Sequence, residues 1–260
     1  MTTVQTMLRC ACPAILACAC AVSLSACNNN KDRLDPPQVL VAPYDSARND
    51  VLWAVVPLAN ETGVSFADSD MISDALVAKI DEVRGLACLP LNRTIAAMRA
   101  ANLRAVTSPA QARALAGLLG VDGIVVGSIT DYDPYNPPKV GLKLALFSRE
   151  ADAGAMAVDP LRLQTAYSDY SKTPRTQYLD RPVSTVSEYL DGANHEVLME
   201  LQRYATGRHD TNSALGWKRM LTSMDLYTQF AANMAVARLI EQERLRLGQP
   251  AMTSAEPTTR

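Results

Sequence analysis

The chain has 260 residues and a formal net charge of −2, from 25 Lys and Arg against 27 Asp and Glu. This balance argues against a nucleic-acid-binding protein, which carries a basic surplus to contact phosphates. Hydrophobic residues make up 48% of the chain, enough for one domain with an added helical part. No His or Cys pair stands at metal-ligand spacing, so we expect no metal and no cofactor.

The first predicted element is an apolar amino-terminal segment. Residues 10–24 are nearly all apolar, follow Arg9, and precede every acidic residue of the chain. The segment contains Pro13 and is shorter than the span of about 20 residues that a membrane-crossing helix needs. These features predict a secretory signal peptide over residues 1–26. An uncleaved signal anchor and an ordinary secretory signal are the alternatives.

The segment ends in Leu24-Ser25-Ala26-Cys27, directly before three Asn residues. This tetrapeptide resembles the lipobox of bacterial lipoproteins. The resemblance implies that the chain is cut between Ala26 and Cys27, that the Cys27 thiol receives a diacylglyceryl group, and that the new amino terminus is acylated. It also implies the periplasmic side of the outer membrane, because Asn28 stands where an Asp would signal retention in the inner membrane. Acyl chains of this kind hold a protein on a bilayer essentially without release.

The stretch after Cys27 lacks a regular hydrophobic pattern. Residues 27–50 contain paired Pro36 and Pro37 and scattered charges, which predicts a flexible tether. Outside the signal and Cys27, Cys88 is the remaining cysteine of the chain. It lies in an apolar run, so we expect a core thiol and no disulfide within one molecule.

The hydrophobic pattern from residue 51 onward alternates between strands and helices. An apolar run over residues 52–58 predicts a strand, and residues 60–63 predict a turn. The next predicted elements are a helix over residues 71–83 capped by Ser69 or Asp70, a strand over residues 86–91 and a helix capped by Asn92. A further helix is predicted from Pro109, capped by Ser108 and ended by Gly120. It is followed by a central strand over residues 124–129, a rigid proline-rich connection over residues 131–138 and a strand over residues 140–147.

The signals weaken beyond residue 149, where residues 161–167 are a candidate edge strand. Residues 183–190 then predict a strand, although a continuous helix from Ser184 is a competing interpretation. Asn194 is placed to cap the helix that follows.

The last predicted element is an amphipathic helix over residues 217–247. Its end is expected to be polar because it contains Glu241, Glu243, Arg244 and Arg246. Residues 249–260 predict a disordered tail. The fold class is therefore α/β, with α+β as an open alternative: a mixed sheet of about four to six strands over residues 51–248, covered by helices.

Three segments together resemble a periplasmic α/β module that recurs in bacterial envelopes. They are residues 55–63, which include Asn60, Thr62 and Gly63, and residues 75–80 and 119–129. The module resembles that of the curli secretion channel lipoprotein, the amino-terminal domain of the Tol translocation protein and the penicillin-binding-protein activator lipoproteins. Residues 131–138, 141–142 and 225–230 resemble those of uncharacterised bacterial lipoproteins. The resemblance implies a fold and a place in the envelope more than an activity.

No residue set in the sequence predicts catalysis. His195 stands beside Glu196 at a helix start, which favours a solvated surface residue over a general base. Asp131 and Asp133 favour a structural corner over a calcium site, because Asp and Pro form turns by themselves. Tyr132, Asp133 and Tyr135 are a candidate contact surface for a protein partner, with ordinary loop packing as the alternative.

These observations predict a membrane-anchored lipoprotein with a non-catalytic periplasmic domain that binds an envelope protein in assembly or regulation. One alternative is an oligomeric export component related to the curli channel. Residues 140–147 alone approach the alternating pattern of a barrel strand, which argues against a pore. A second alternative is an envelope hydrolase whose site the sequence does not reveal. The oligomeric state is left open.

Overall fold

The computed structural model of the protein describes residues 36–44, 50–149, 181–209 and 213–248. The predicted signal peptide, Cys27, the candidate strand over residues 161–167 and the predicted tail over residues 249–260 lie outside these ranges. Contacts divide the chain into residues 1–36 and residues 37–260. The fold described below belongs to the second unit.

A mixed sheet forms the centre of the described fold, which confirms the predicted α/β class. The strand order is β3-β1-β4-β5-β6, with β2 paired to β4. β1 runs parallel to β3 and β4, and β2 runs parallel to β4, whereas β5 pairs antiparallel with both β4 and β6. The strands are β1 (Val51–Val55), β2 (Ala59–Asn60), β3 (Leu86–Cys88), β4 (Gly123–Asp133), β5 (Lys139–Ser148) and β6 (Ser184–Asp191).

The strand predicted over residues 52–58 is divided into β1 and β2, which both pair with β4. Pro57 lies in the interruption and has no N–H to donate to the ladder. The Leu58 N–H donates instead to Ser73 Oγ at 2.9 Å, a buried hydrogen bond. The Ser73 hydroxyl in turn donates to the Ser69 carbonyl at 2.6 Å. One serine of the next helix therefore satisfies the backbone where the strand breaks.

The helices begin close to the predicted positions, with two corrections in their caps. Ser108 and Asn194 accept hydrogen bonds from the first turns of their helices, as predicted. The first helix is capped by Asp68 rather than by Ser69 or Asp70, and Asn92 lies inside a helix that starts directly after Pro90. The helices are α1 (Ser69–Asp81), α2 (Leu91–Ala100), α3 (Pro109–Leu119), α4 (His195–Ala205), α5 (Arg219–Thr222) and α6 (Met224–Arg246).

The predicted helix over residues 217–247 is interrupted. A 3-10 turn over Gly216–Lys218 leads into α5, and Ser223 then adopts an extended conformation with φ −118° and ψ 116°. Two separate helices therefore replace the single one that periodicity predicts. The competing helix from Ser184 is also wrong, because this segment is strand β6.

Helices cover both faces of the sheet. The larger core joins α1, α4 and α6 to one face, and Tyr227, Phe230 and Leu142 are buried in it. A smaller core beneath α2 and α3 contains Leu115, Ile124 and other apolar residues. The rigid connection predicted over residues 131–138 is shorter than expected, because β4 extends to Asp133 and β5 begins at Lys139.

Two glycines allow β4 and β5 to approach each other closely. A Cβ at Gly127 would collide with the Lys143 carbonyl oxygen, and one at Gly141 would collide with Thr130 Oγ1. The Gly141 position faces the register shift between Ile129 and Asp131. Side chains are therefore excluded at both positions by the packing of the two strands.

Residues 37–44 pack against the fold, although they fall within the predicted tether of residues 27–50. The Ala42 N–H donates to the Arg84 carbonyl at 3.0 Å, and the Arg84 N–H donates to the Leu40 carbonyl at 2.9 Å. Arg244 Nη2 donates to the Val41 carbonyl at 3.0 Å. Ala42 is buried, with 7% of its surface exposed. This part of the predicted tether is thus bound to the domain.

Glu243 anchors the same segment from the end of α6. Its carboxylate is 1% exposed and accepts hydrogen bonds from Tyr44 Oη at 3.0 Å, from Ser184 Oγ, and from Arg246 Nη2 at 2.7 Å. Burial raises the pKa of the Tyr44 hydroxyl, and the negative charge of Glu243 raises it further. Arg244 is also buried, at 8% exposure. The end of this helix is therefore polar, as predicted, but Glu243 and Arg244 are buried there.

Candidate functional site

The residues predicted to contact a partner lie at the end of β4 and in the turn after it. Tyr132 is 8% exposed, so its side chain belongs to the core rather than to a contact surface. Tyr135 is 77% exposed, and its N–H donates to Asp133 Oδ1 at 3.0 Å. The structure thus separates the three residues into a buried tyrosine and an exposed turn. Partner binding by that turn stays a prediction.

The loop after β2 is organised by the side chain of Asn60. Asn60 Nδ2 donates to the Val64 carbonyl at 2.8 Å, and Asn60 Oδ1 accepts from the Thr62 N–H at 3.1 Å and the Thr62 hydroxyl at 2.7 Å. Gly63 adopts φ 76°, a left-handed conformation that glycine takes without a steric penalty. These bonds confirm the predicted turn and fix the path of the chain into α1.

Glu61 attaches this loop to the central strand. The Glu61 N–H donates to the Ile129 carbonyl at 3.0 Å, and Glu61 Oε2 accepts from Ser128 Oγ at 3.0 Å. A cavity of about 280 Å³ borders this contact and is also lined by Lys143. Because Glu61 holds β4 through both its backbone and its side chain, the geometry is that of a structural brace.

The braced loop places an exposed aromatic ring beside the start of α1. Phe66 is 55% exposed, and its ring centroid lies 6.0 Å from that of Tyr132. Asp68 follows and caps α1, with Oδ1 accepting from the N–H groups of Asp70 at 3.0 Å and Met71 at 3.1 Å. This cap fixes where α1 begins and hence which of its residues face α6.

A cleft of about 400 Å³ lies between α1 and α6, and we call it the α1–α6 cleft. Met71 and Asp74 line it from α1, and Asp225, Thr228 and Gln229 line it from α6. Its volume falls within the range of about 300–1,000 Å³ typical of ligand pockets. Met71 is 38% exposed at its edge, although the sequence places this residue on the apolar face of the helix. The cleft therefore combines acidic, amide and apolar groups.

Thr228 is the buried polar group of the cleft. The residue is 2% exposed, and its Oγ1 has no hydrogen-bond partner among the described residues. A hydroxyl that is removed from water without a partner costs free energy. A ligand that donated a hydrogen bond to this oxygen would therefore recover part of that cost.

The lining of the cleft also contains an ion pair. Lys79 is 6% exposed, and its Nζ lies 2.5 Å from Glu82 Oε1. The same Nζ is 5.7 Å from the centroid of the Tyr204 ring, a favourable position for a buried cation. Glu82 Oε2 also lies 3.7 Å from Arg208 Nη2, so this carboxylate is shared by two cations, and any net negative charge of the cleft must come from its other carboxylates.

Asp74 and Asp225 supply that net charge. Both side chains are exposed, and neither forms an ion pair within the ranges that the structure covers. Burial raises the pKa of the Tyr132 hydroxyl, and the carboxylates of Asp225 and Asp68 raise it further. Asp225, which lines the cleft, therefore also acts on the Tyr132 hydroxyl.

The other residues considered from the sequence lie apart from this cleft. His195 is exposed in the first turn of α4, as predicted. Cys88 is half-buried and forms no disulfide, and burial raises its pKa to about 12, with Asp81 as a further cause. Its thiol is thus protonated and a weak nucleophile at neutral pH. Among the described residues, no group of three or more His, Cys, Asp or Glu could hold a metal ion.

No pattern in the sequence indicated the α1–α6 cleft. Asp74 and Asp225 lie on two helices that are far apart in the sequence, with most of the strands between them along the chain. Each looks like an ordinary exposed residue of its own helix. Asp225 and Thr228 do belong to the segment over residues 225–230 that carried the lipoprotein resemblance. The resemblance therefore pointed to this segment of the chain, but it did not indicate an acidic cleft.

Comparisons with known proteins leave the family of this chain open. No protein-family model matches the sequence, and no curated protein matches it. Several solved structures overlap with its fold. Lipoprotein GNA1162 from Neisseria meningitidis has 15% identity and a TM-score of 0.38, and the match covers 58% of this chain and 90% of that one.

Two further structures have similar values. The LpoB C-terminal domain from Escherichia coli has 12% identity and a TM-score of 0.34, covering 57% of this chain and 87% of that domain. The hypothetical protein CT253 from Chlamydia trachomatis has 10% identity and a TM-score of 0.33, covering 76% of this chain and 96% of that protein. Similarity at this level leaves the function undetermined.

Proposed function

We propose that this protein is a lipid-anchored lipoprotein of the bacterial cell envelope whose domain binds another envelope protein, in assembly or regulation, without catalysis. Its anchor is the lipidated Cys27, on the periplasmic side of the outer membrane. The Leu24-Ser25-Ala26-Cys27 motif and Asn28 support this location. No helix within the described ranges has both the length and the apolarity to cross a bilayer.

The α1–α6 cleft is the observation that supports a binding role. It is lined by the exposed Asp74 and Asp225 and by Thr228, whose buried Oγ1 has no hydrogen-bond partner among the described residues. Exposed Phe66 and Met71 lie near the start of α1. Mixed polar and apolar surfaces with exposed aromatic or Met side chains are typical of protein interfaces.

The anchor is tested by replacing the Cys27 sulfur. We expect Cys27→Ser to abolish lipid attachment and to shift the protein from the detergent phase to the aqueous phase. Cys88→Ser is the matched control, because it removes a thiol from the folded domain and leaves the anchor intact. The measurement is detergent phase partition with mass spectrometry of the amino-terminal peptide. Unchanged partition and peptide mass in Cys27→Ser would contradict the anchor.

The partner is tested in the intact envelope with a photo-crosslinking amino acid in place of Met71, at the edge of the cleft. A second protein has the same amino acid at Leu118, which is 60% exposed on α3 and lies on the other face of the sheet. We expect a discrete protein adduct from position 71 and none from position 118. Equal adducts from positions 71 and 118 would contradict specific binding by this part of the domain. So would the absence of an adduct both from position 71 and from a third protein that has the crosslinking amino acid in place of Tyr135.

A further inference from the structure

The α1–α6 cleft favours a cationic ligand. Asp74 and Asp225 are exposed and lack an ion pair within the described part of the chain, while Lys79 is engaged by Glu82. Asp68, at the start of α1, adds a further negative charge near this end of the cleft. An incoming cation therefore meets two carboxylates without a described ion-pair partner, while Lys79 shares Glu82 with Arg208, whose Nη2 lies 3.7 Å from Glu82 Oε2.

The uncharged groups of the cleft narrow the choice of cation. Thr228 Oγ1 is a buried oxygen without a partner in the part of the chain that the structure describes, and the amide of Gln229 supplies a second neutral acceptor. A guanidinium carries five N–H donors in a planar fork, so it can bond to carboxylates and neutral oxygens at the same time. An ammonium has three donors around one point and is more strongly hydrated. The acceptor set thus favours arginine over lysine.

The surroundings of the cleft indicate that this arginine belongs to a protein segment. Phe66 is 55% exposed and packs on Tyr132, and Met71 is 38% exposed at the cleft edge. A free guanidinium compound would leave both side chains in water. Apolar residues beside an arginine in a partner segment would cover them, which adds favourable apolar burial to the charge contact.

We propose that the α1–α6 cleft binds an arginine side chain from a partner protein, on a segment whose neighbouring apolar residues cover Phe66 and Met71. This inference depends on the proposed partner-binding function and specifies the chemistry of the partner. It assigns the two carboxylates to the guanidinium, the Thr228 hydroxyl to one of its N–H donors, and the apolar edge to the flanking side chains.

The test uses the full chain purified in detergent and two synthetic peptides. One peptide contains two arginines flanked by leucines and carries a photo-leucine, and its twin has citrulline in place of each arginine. Citrulline keeps the shape of the side chain and removes its charge. We expect the arginine peptide to bind at least tenfold more tightly in fluorescence anisotropy, and its crosslinks to map to residues 66–75 and 224–229. Equal binding of the twins, or crosslinks confined to other residues, would overturn the proposal.

Variants of the protein connect that binding to individual groups. Asp74→Asn with Asp225→Asn should remove the preference for arginine over citrulline. The matched control is Asp50→Asn with Glu196→Gln, which removes the same charge from exposed residues outside the cleft and should keep the preference. If both double variants lose the preference equally, the attraction comes from net charge and the site is refuted.

The Thr228→Val variant tests whether the hydroxyl contributes to peptide binding without contributing to the stability of the fold. Valine has nearly the shape of threonine and removes a hydroxyl that has no described partner. We expect at least threefold weaker binding of the arginine peptide, with thermal stability equal to or above that of the wild type. Unchanged binding in this variant would refute the role of the hydroxyl. Failure of the peptide tests alongside a positive envelope crosslink at position 71 would refute the arginine site while leaving the proposed function in place.

Discussion

Tyr44 and Glu243 are 199 residues apart in sequence, and the Tyr44 hydroxyl donates a 3.0 Å hydrogen bond to the buried Glu243 carboxylate. The Tyr44 ring also lies 6.2 Å from the ring of Trp53, in an edge-to-face arrangement. The contact joins the segment over residues 37–44 to the last described helix. A carboxylate at 1% exposure depends on such donors, because a buried charge without partners is strongly unfavourable.

Tyr44→Phe removes this donor and keeps the ring. We expect the free energy of unfolding to fall by about 1–3 kcal/mol, since a buried charged group loses a hydrogen bond. Urea unfolding followed by circular dichroism measures the change. Tyr135→Phe makes the same chemical change at a residue that is 77% exposed, and it should leave stability unaltered. Equal effects of the two substitutions would show that the Glu243 contact contributes nothing.

Ser73→Ala should lower the stability of the fold by removing a hydrogen bond at the interruption between β1 and β2. The Leu58 N–H would lose its acceptor at a buried position, which costs about 1–3 kcal/mol. The matched control is Ser187→Ala on β6, where the side chain is exposed. Thermal unfolding of both variants provides the comparison. A destabilised control with an unaffected Ser73→Ala protein would contradict the role assigned to this hydroxyl.

Two glycine substitutions are expected to change the free energy of unfolding in opposite directions. Gly141→Ala places a methyl group against Thr130 and the Asp131 backbone, so we expect a loss of about 1–3 kcal/mol from overpacking. Gly117→Ala lies within helix α3 and meets no atom within 4 Å, so we expect a gain of about 0.5–1 kcal/mol. Chemical denaturation measures both. Tolerance of Gly141→Ala would contradict the close packing of β4 against β5, and destabilisation by Gly117→Ala would contradict the open space found around that helix position.

Cys88 should resist alkylation in the folded protein. Burial raises its pKa to about 12, so the reactive thiolate is scarce near pH 8 and becomes available as the pH rises towards that value. Iodoacetamide labelling at pH 8, quantified on the peptide that contains Cys88, should be at least tenfold slower in the native protein than in guanidinium. The native rate should still rise between pH 8 and pH 10. Equal native and denatured rates at pH 8 would show an accessible thiolate.

Cys88 also makes the stability of the folded protein depend on pH. Folded-state stability linked to the Cys88 thiol is fully present below the ordinary cysteine pKa, because both states then bind the proton. It declines above that value, where only the unfolded thiol ionises readily. Any alkaline loss of stability that Cys88→Ser removes is assigned to this group.

Local patterns were sufficient to predict several elements of the fold. Residues 124–129 are rich in β-branched side chains, and they form part of the central strand. Ser108, Pro109 and Gly120 mark the two ends of α3, because each carries out its role within one turn of chain. These predictions depended on neighbouring residues alone.

Other features depended on residues that are distant in sequence. Asp68, Ser69 and Asp70 are all competent helix caps, so the sequence could not choose among them. Glu243 and Arg244 stand in a charged stretch that is typical of an exposed helix end, and their burial requires Tyr44, Ser184 and the Val41 carbonyl. The α1–α6 cleft likewise exists only after two helices meet.

The attachment of residues 37–44 has a mechanical consequence. This segment is bonded to the backbone of Arg84 before β3, through Gln38 to Arg208 after α4, and through Tyr44 to Glu243 in α6. Tension that enters the chain at residue 37 reaches these contacts in sequence order, the Gln38 contact first and the Tyr44 contact last. Strand β1 is therefore loaded only after the whole segment has been released.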